Sequence, residues 1–260
     1  MEIEFALVTG AGRGIGRAIT LELGKTHTHL VCISQSKACV ATADTIKRGG
    51  GSAEAVVLEI SDLERCERVV ADIVARYRPE RIGLVLAAAI LGRPGGLVNG
   101  PPLEEWAKVY RTNVLGNLAV LRGCLPRMLE TKFARVVVLA GGGAAYAYPE
   151  FSAYALSKTA IVRAVENAAA ELQSAGDFSF VALAPGAVET DMLAQVRAAG
   201  GTVKTTTSAS EAVQFVSKYF ASDGNALSGR FVHVRDEWQK YMSSGQETLK
   251  PCHWTLRRIE

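Results

Sequence analysis

Thr9-Gly10-Ala11-Gly12-Arg13-Gly14-Ile15-Gly16 follows an apolar run at Ile3–Val8 and opens a helical pattern near Ile15–Lys25. Glycine lacks a Cβ, so such a loop can turn tightly and bring bare backbone close to a ligand. The helix behind it offers free N–H groups and the positive end of its dipole. Strand, glycine loop and helix in this order read as a pyrophosphate cradle, although a plain strand–helix turn can also hold several glycines. The cofactor contacts expected here are Gly10, Gly12, Arg13, Gly14, Ile15 and Gly16.

The same alternation continues along the chain. Strand-length apolar runs stand at His29–Ser34, Glu54–Leu58, Gly83–Ala89, Arg135–Ala140, Phe178–Ala184 and Arg230–Val234. Helical patterns lie between them, near Ala38–Arg48, Asp62–Tyr77, Leu103–Tyr110, Asn113–Leu129, Ser152–Ser174 and Ala209–Ala221. Gly92–Pro102 and Glu189–Ser208 read as loops, the second mobile. Alternating strands and helices imply a parallel sheet covered on both faces. The expected fold is one doubly wound, Rossmann-type α/β domain over residues 1–260, with a seven-stranded parallel sheet and a tail at 236–260. Ligands in such sheets bind beyond the carboxyl ends of the strands.

Hydrophobic residues make up 48% of the chain and charged residues 21%, enough apolar material for a large core. The net charge is +3 with the cations scattered, which argues against nucleic acid as a partner. The five cysteines are Cys32, Cys39, Cys66, Cys124 and Cys252. An odd count without a CxxC pair argues against a disulfide framework or a metal site and favours free thiols in a reducing compartment. No signal-peptide pattern and no apolar run of membrane-spanning length is read, so a cytoplasmic location is expected.

Tyr154-Ala155-Leu156-Ser157-Lys158 puts a phenol and an ammonium four residues apart, on one face of a helix. A phenol titrates near pH 10, and a neighbouring ammonium stabilises the phenolate. Such a tyrosine can give a proton to a carbonyl oxygen or take one from an alcohol. A solvated helix pair is the bland alternative for YxxxK alone. Its place after the glycine loop and the fifth strand tips the reading towards catalysis.

The TGxxxGxG loop and YxxxK together resemble the short-chain dehydrogenase/reductase family, over about residues 3–236. The resemblance implies Tyr154 as acid/base and Lys158 as both its partner and a ligand of the nicotinamide ribose. Thr112-Asn113-Val114-Leu115-Gly116 resembles the family's NxxG segment, which implies that Asn113 keeps a water in a proton relay; a helix cap is the alternative. Pro185-Gly186-Ala187-Val188-Glu189-Thr190 resembles its PGxVxT segment, which implies that Val188 and Thr190 meet the nicotinamide amide, with Pro185 and Gly186 beside them.

Two parts of the family pattern are altered. Thirteen positions before Tyr154 the family carries a serine that stabilises charge on the substrate oxygen. Here that position lies in Ala140-Gly141-Gly142-Gly143. Three glycines are costly to order, which suggests backbone approaching a bulky substrate; Tyr146, Tyr148 and Ser152 are side-chain substitutes. Ala87-Ala88-Ala89-Ile90 replaces the NNAG segment, and the amide hydrogen bonds of its asparagines are lost. Ala88 and Ile60 remain expected cofactor contacts, with Glu59 a stand-in for the adenine-binding acid.

No acid follows the second strand in Cys32-Ile33-Ser34-Gln35-Ser36-Lys37. An acid there would favour NAD by repelling a 2′-phosphate. Ser34 and Gln35 are read as cofactor contacts, and Arg13 and Lys37 as sources of charge, so NADP(H) is favoured over NAD(H). Gly141, Gly142, Tyr148 and Met192 are read as substrate contacts. The expected reaction is hydride transfer between the nicotinamide and a ketone or secondary alcohol of a small molecule. A non-catalytic cofactor binder, or an isomerase or dehydratase on the same fold, are the alternatives. The resemblance also implies a homodimer or homotetramer through the helices near Asn113–Leu129 and Ser152–Ser174, with packing of their apolar faces inside one subunit as the alternative. The aromatic tail residues Trp238, Tyr241 and Trp254 either dock or fray.

Overall fold

The computed structural model describes residues 3–201, 203, 206–222, 225–242, 249–250 and 252–256. Parts of the Glu189–Ser208 segment and of the tail therefore lie outside the described residues.

The central strands of the main sheet are apolar and buried, its edge strands are more polar and partly exposed, and the sheet is parallel throughout. Its strands are β1 (Phe5–Thr9), β2 (His29–Ser34), β3 (Ser52–Val57), β4 (Ile82–Leu86), β5 (Phe133–Leu139), β6 (Asp177–Ala184) and β9 (Arg230–His233). The spatial order is β3-β2-β1-β4-β5-β6-β9. Between β6 and β9 a separate two-stranded pair forms from β7 (Ala187–Val188) and β8 (Thr206–Thr207). The helices are α1 (Gly14–Leu23), α2 (Ala38–Arg48), α3 (Leu63–Tyr77), α4 (Leu103–Tyr110), α5 (Asn117–Thr131), α6 (Ser152–Leu172), α7 (Asp191–Ala198) and α8 (Ala209–Ala221).

Side chains of a strand alternate between sheet faces, and β1 divides accordingly. Ala6 and Val8 pack with Ile19 of α1, Ala43 of α2 and Phe215 of α8. Phe5 and Leu7 join Val70 of α3, Val120 of α5 and Ile161 of α6. Sequential winding reverses between β1 and β4, and at that seam Thr9 pairs in register with Ile33 on one side and Leu86 on the other. The glycine loop leaves β1 at this point.

Two expectations are corrected. The segment read as a loop at Glu189–Ser208 contains α7 and β8. Thr190 caps α7 by accepting a hydrogen bond from the Leu193 N–H, Asp191 favours the first turn, and Leu193 and Val196 bury one face. The separate helix read from Asn113 is instead the middle of one run, in which a π turn at Arg111–Gly116 joins α4 to α5. Asn113 is thus no helix cap. A Cβ on Gly116 would stand 2.8 Å from the Ile60 carbonyl oxygen, so the turn presses its backbone onto the loop after β3.

The described part of the tail docks. Trp238 is buried, its indole N–H donates to the Val234 carbonyl at 3.0 Å, and Met242 and Leu249 join the same core. The Phe231 N–H of β9 donates to the Trp254 carbonyl at 2.7 Å, so the tail covers the last strand's open edge.

Candidate active site

At the seam between β1 and β4 a cleft of about 730 Å³ opens. The glycine loop forms its floor with Gly10, Gly12, Arg13, Gly14, Ile15 and Gly16. Gly10 (φ +69°) and Gly14 (φ +56°) adopt left-handed backbone that disfavours side chains. A Cβ on Gly16 would collide with the Gly10 carbonyl, and one on Gly12 would stand 2.8 Å from the Ala38 Cβ. The loop is therefore bare backbone by necessity.

Ala88, Tyr154, Lys158, Pro185, Thr190 and Met192 line the other walls, so residues far apart in sequence share one cavity. Leu91, Gly92, Asp191 and Gln195 also line it, within the stretches Leu91–Leu97 and Glu189–Thr207 that the sequence offers as pocket lining, whereas sequence reading missed Arg17 and Leu139. Arg17 had a signal in the sequence: it lies one helical turn after Arg13, on the side of α1 that opens into the loop. The Arg13 guanidinium stands 3.6 Å from the Asp191 carboxylate, both well exposed, across the mouth of the cleft.

The other expected contacts are not among the lining residues. Ser34 donates its hydroxyl to the Ser36 carbonyl at 2.6 Å, and Gln35 is exposed beside it. Ile60 is buried in the core beneath Gly116, and Glu59 accepts from the Ser61 N–H, closing its own turn. Val188 pairs with Thr207, and Gly186 (φ +72°) leaves no room for a Cβ against Thr207. Thr190 turns its hydroxyl to the Val188 carbonyl and to α7. Asn113 is wholly buried: its Oδ1 accepts from the Ile90 N–H, and its Nδ2 donates to the Ile90 carbonyl and to Ser157 Oγ. Its side chain is therefore spent on protein, away from the cleft.

Gly141 borders the chemistry without lining the cleft. A Cβ there would stand 3.4 Å from Tyr154 Oη, in ordinary contact, and its φ of 174° suits any residue. Gly142 meets nothing within 4 Å, whereas a Cβ on Gly143 would stand 3.0 Å from the Ala155 Cα. Within the protein, the tightest approach of the glycine run is that of Gly143 to α6, while Gly141 and Gly142 keep open space around them. Of the substitute side chains, Tyr146 is exposed and Ser152 donates to the Pro149 carbonyl. Tyr148 packs at 5.4 Å on Phe151, in a cluster with Leu91, Tyr154, Met192 and Leu193.

Lys158 is buried, donates to the Leu139 carbonyl at 2.7 Å, and holds its Nζ 5.5 Å from the centre of the Tyr154 ring. Burial brings this ammonium down to about 8. Burial, with a smaller contribution from Tyr148, pushes the Tyr154 phenol up to about 12. The expectation that the ammonium would lower the phenol is corrected: both groups share a dry corner that disfavours either charge, and one N–H of the ammonium goes to the Leu139 carbonyl. The neutral phenol left by this balance is the form that donates a proton.

The fold and the cleft define a doubly wound, dinucleotide-binding protein with a Tyr–Lys pair. The chain belongs to the short chain dehydrogenase family, whose model matches residues 4–201. This family comprises NAD(P)-dependent oxidoreductases. A short chain dehydrogenase of Pseudocercospora fijiensis is 34% identical over 189 residues, 72% of this chain and 60% of that protein. This chain thus spans about three-fifths of that relative's length. Among solved structures, a protein of Beutenbergia cavernae assigned as an NAD(P)-dependent gluconate 5-dehydrogenase, with NADP bound, has a TM-score of 0.81 at 30% identity. That match covers 91% of this chain and 96% of the other. Actinorhodin polyketide ketoreductase with NADPH has a TM-score of 0.77 at 26% identity, covering 89% and 95%. Among the described residues no helix is long and apolar enough to cross a membrane, and no cluster of metal-binding side chains occurs.

Proposed function

We propose that the chain is an oxidoreductase that transfers a hydride between NADP(H), or less readily NAD(H), and a ketone or secondary alcohol of a small apolar molecule. One observation carries this reading: a single cleft joins the glycine loop to Tyr154 and Lys158. A dinucleotide suits that cleft, because its floor is the glycine loop Gly10, Gly12, Gly14 and Gly16 and the start of α1, whose free N–H groups favour a pyrophosphate. When bound, the nicotinamide supplies or accepts the hydride.

The chain's own groups do the rest. The glycine loop and the start of α1 hold the pyrophosphate, with Arg13 and Arg17 supplying charge towards a 2′-phosphate. No acid after β2 repels that phosphate. Tyr154, a neutral phenol, donates its proton to the substrate oxygen during reduction. Lys158 supports the phenolate that results and holds the ribose. The apolar cluster around Leu91, Phe151, Leu193 and Met192 excludes water and favours an apolar substrate. Pro185, Gly186, Val188 and Thr190 remain proposed neighbours of the nicotinamide, and Gly141, Gly142 and Tyr148 of the substrate.

Gly141 supplies no hydroxyl beside Tyr154, and this favours a second reading, a cofactor binder without turnover. NADPH consumption with a panel of apolar ketones separates the two: turnover supports the reductase, and tight binding without turnover supports the second reading. A homodimer or homotetramer in the cytoplasm is also proposed. It is supported by an apolar groove of about 390 Å³ bounded by Trp106, Tyr110, Leu115, Ala153 and Leu156, and light scattering on the purified protein tests it.

A further inference from the structure

Asn117 is buried, yet every polar atom of its amide is used. Its Oδ1 accepts from the Thr9 hydroxyl at 3.1 Å. Its Nδ2 donates to the Ala88 carbonyl at 3.0 Å and to the Asn113 carbonyl at 2.9 Å. Thr9 Oγ1 in turn accepts from the Ala87 and Ala88 N–H groups, at 2.9 and 3.0 Å. One amide thus ties together the end of β1, where the glycine loop begins, the end of β4, which lines the cleft, and the π turn carrying Asn113. Asn113 continues the chain of bonds through Ser157 Oγ, whose hydroxyl donates to the Tyr154 carbonyl at 2.7 Å. The strand end it braces is the place where the family pattern carries asparagines and this chain carries Ala87-Ala88.

We infer that Asn117 is a positioning residue for the nicotinamide reaction: brought from α5, it supplies the amide that the β4 segment lacks and so sets the seam between the glycine loop and the Tyr154 helix. It is buried and does not line the cleft. A buried hydrogen-bond network that is fully satisfied fixes one geometry, and removal of one member strands the others. The inference rests on the oxidoreductase reading, but its test does not depend on turnover.

The test is a double-mutant cycle on the full-length protein: Asn117→Ala, Thr9→Val and the pair, with the dissociation constant for NADPH (or NADH, if tighter) read by fluorescence titration. Each single change is expected to weaken binding at least fivefold. The double variant is expected to be no weaker than about twice the worse single, because both break one clamp. Tyr219→Phe removes a buried hydrogen bond to Ser179 on the far half of β6 and controls for general loss of stability. It is expected to leave binding within twofold at a comparable drop in melting temperature. Binding unchanged in both singles, or losses that multiply in the double, overturns the proposal. If Asn117→Ala does not fold, Thr9→Val alone decides: fivefold weakening supports the clamp and wild-type binding overturns it. A wild type that binds NADPH but reduces no ketone defeats the oxidoreductase reading and leaves this test readable. A wild type that binds neither nicotinamide defeats both.

Discussion

Tyr154 and Lys158 sit four residues apart on α6, and burial moves their proton affinities in opposite directions. Tyr154→Phe deletes the acid/base hydroxyl and little else. It is expected to lower kcat by roughly 10²–10⁴-fold with NADPH affinity intact; a tenth of wild-type turnover would remove Tyr154 from the chemistry. Lys158 is brought from 10.5 down to about 8 in the folded chain, so the unfolded chain binds more protons between those values. Stability therefore rises with pH across that window as far as this group is concerned, and its contribution is lost as pH falls through 8. Lys158→Met removes the buried charge. Without cofactor, the variant is expected to melt above wild type at pH 7, with the gap closing as pH climbs from 8 to 10.5. Thermal melts of both proteins across that range check this, and a gap independent of pH would contradict it.

At the scale of elements, the loop between β5 and α6 treats its three glycines differently. Gly143 packs against the Ala155 backbone, so Gly143→Ala is expected to cost about 1–3 kcal/mol through overpacking, measurable by urea denaturation. Gly141 has room for a Cβ and unstrained backbone. Gly141→Ser is expected to fold with stability within about 1 kcal/mol of wild type and to place a hydroxyl beside Tyr154. With small ketones its turnover is expected to rise at least tenfold, since one oxyanion donor is typically worth about 10²–10³ in kcat. Steady-state kinetics decide, and an unchanged or lower rate would show that this chain stabilises its substrate oxygen by other means. Gly16, by contrast, leaves no space at all, because the first turn of α1 lies on the Gly10 carbonyl.

Across the whole molecule, the sheet's last edge is covered by the described residues that follow β9. Trp238 contacts Phe215 edge-on at 4.9 Å between ring centres, deep in the core on the α1–α8 face. Glu166 and Arg163 of α6 hold Leu256 by its backbone, each at 2.7 Å. A bare strand edge invites pairing with other chains, so this covering guards against aggregation. Trp238→Ala is expected to cost about 3–5 kcal/mol and to lower the melting temperature without a specific loss of NADPH affinity. Calorimetry and titration on the same sample check both halves.

The parallel doubly wound fold was legible because strands buried on both faces are continuously apolar, and because the glycine loop requires a strand before it and a helix after. The Tyr154–Lys158 pair was legible because helical spacing alone places both on one face. Element ends moved by a few residues, and α7 was hidden by the polar composition around Thr190, where a cap and two buried positions three apart were the available signal. Tertiary structure decided the rest. Which of Gly141, Gly142 and Gly143 is sterically required depends on how closely α6 approaches each, and no local pattern encodes that distance. The Tyr154 phenol rises instead of falling because burial is a property of the surrounding fold, and it outweighs an ammonium visible in the sequence. Asn117 reads in sequence as an ordinary helix residue, and only the meeting of β1, β4 and the π turn around it gives its amide three partners.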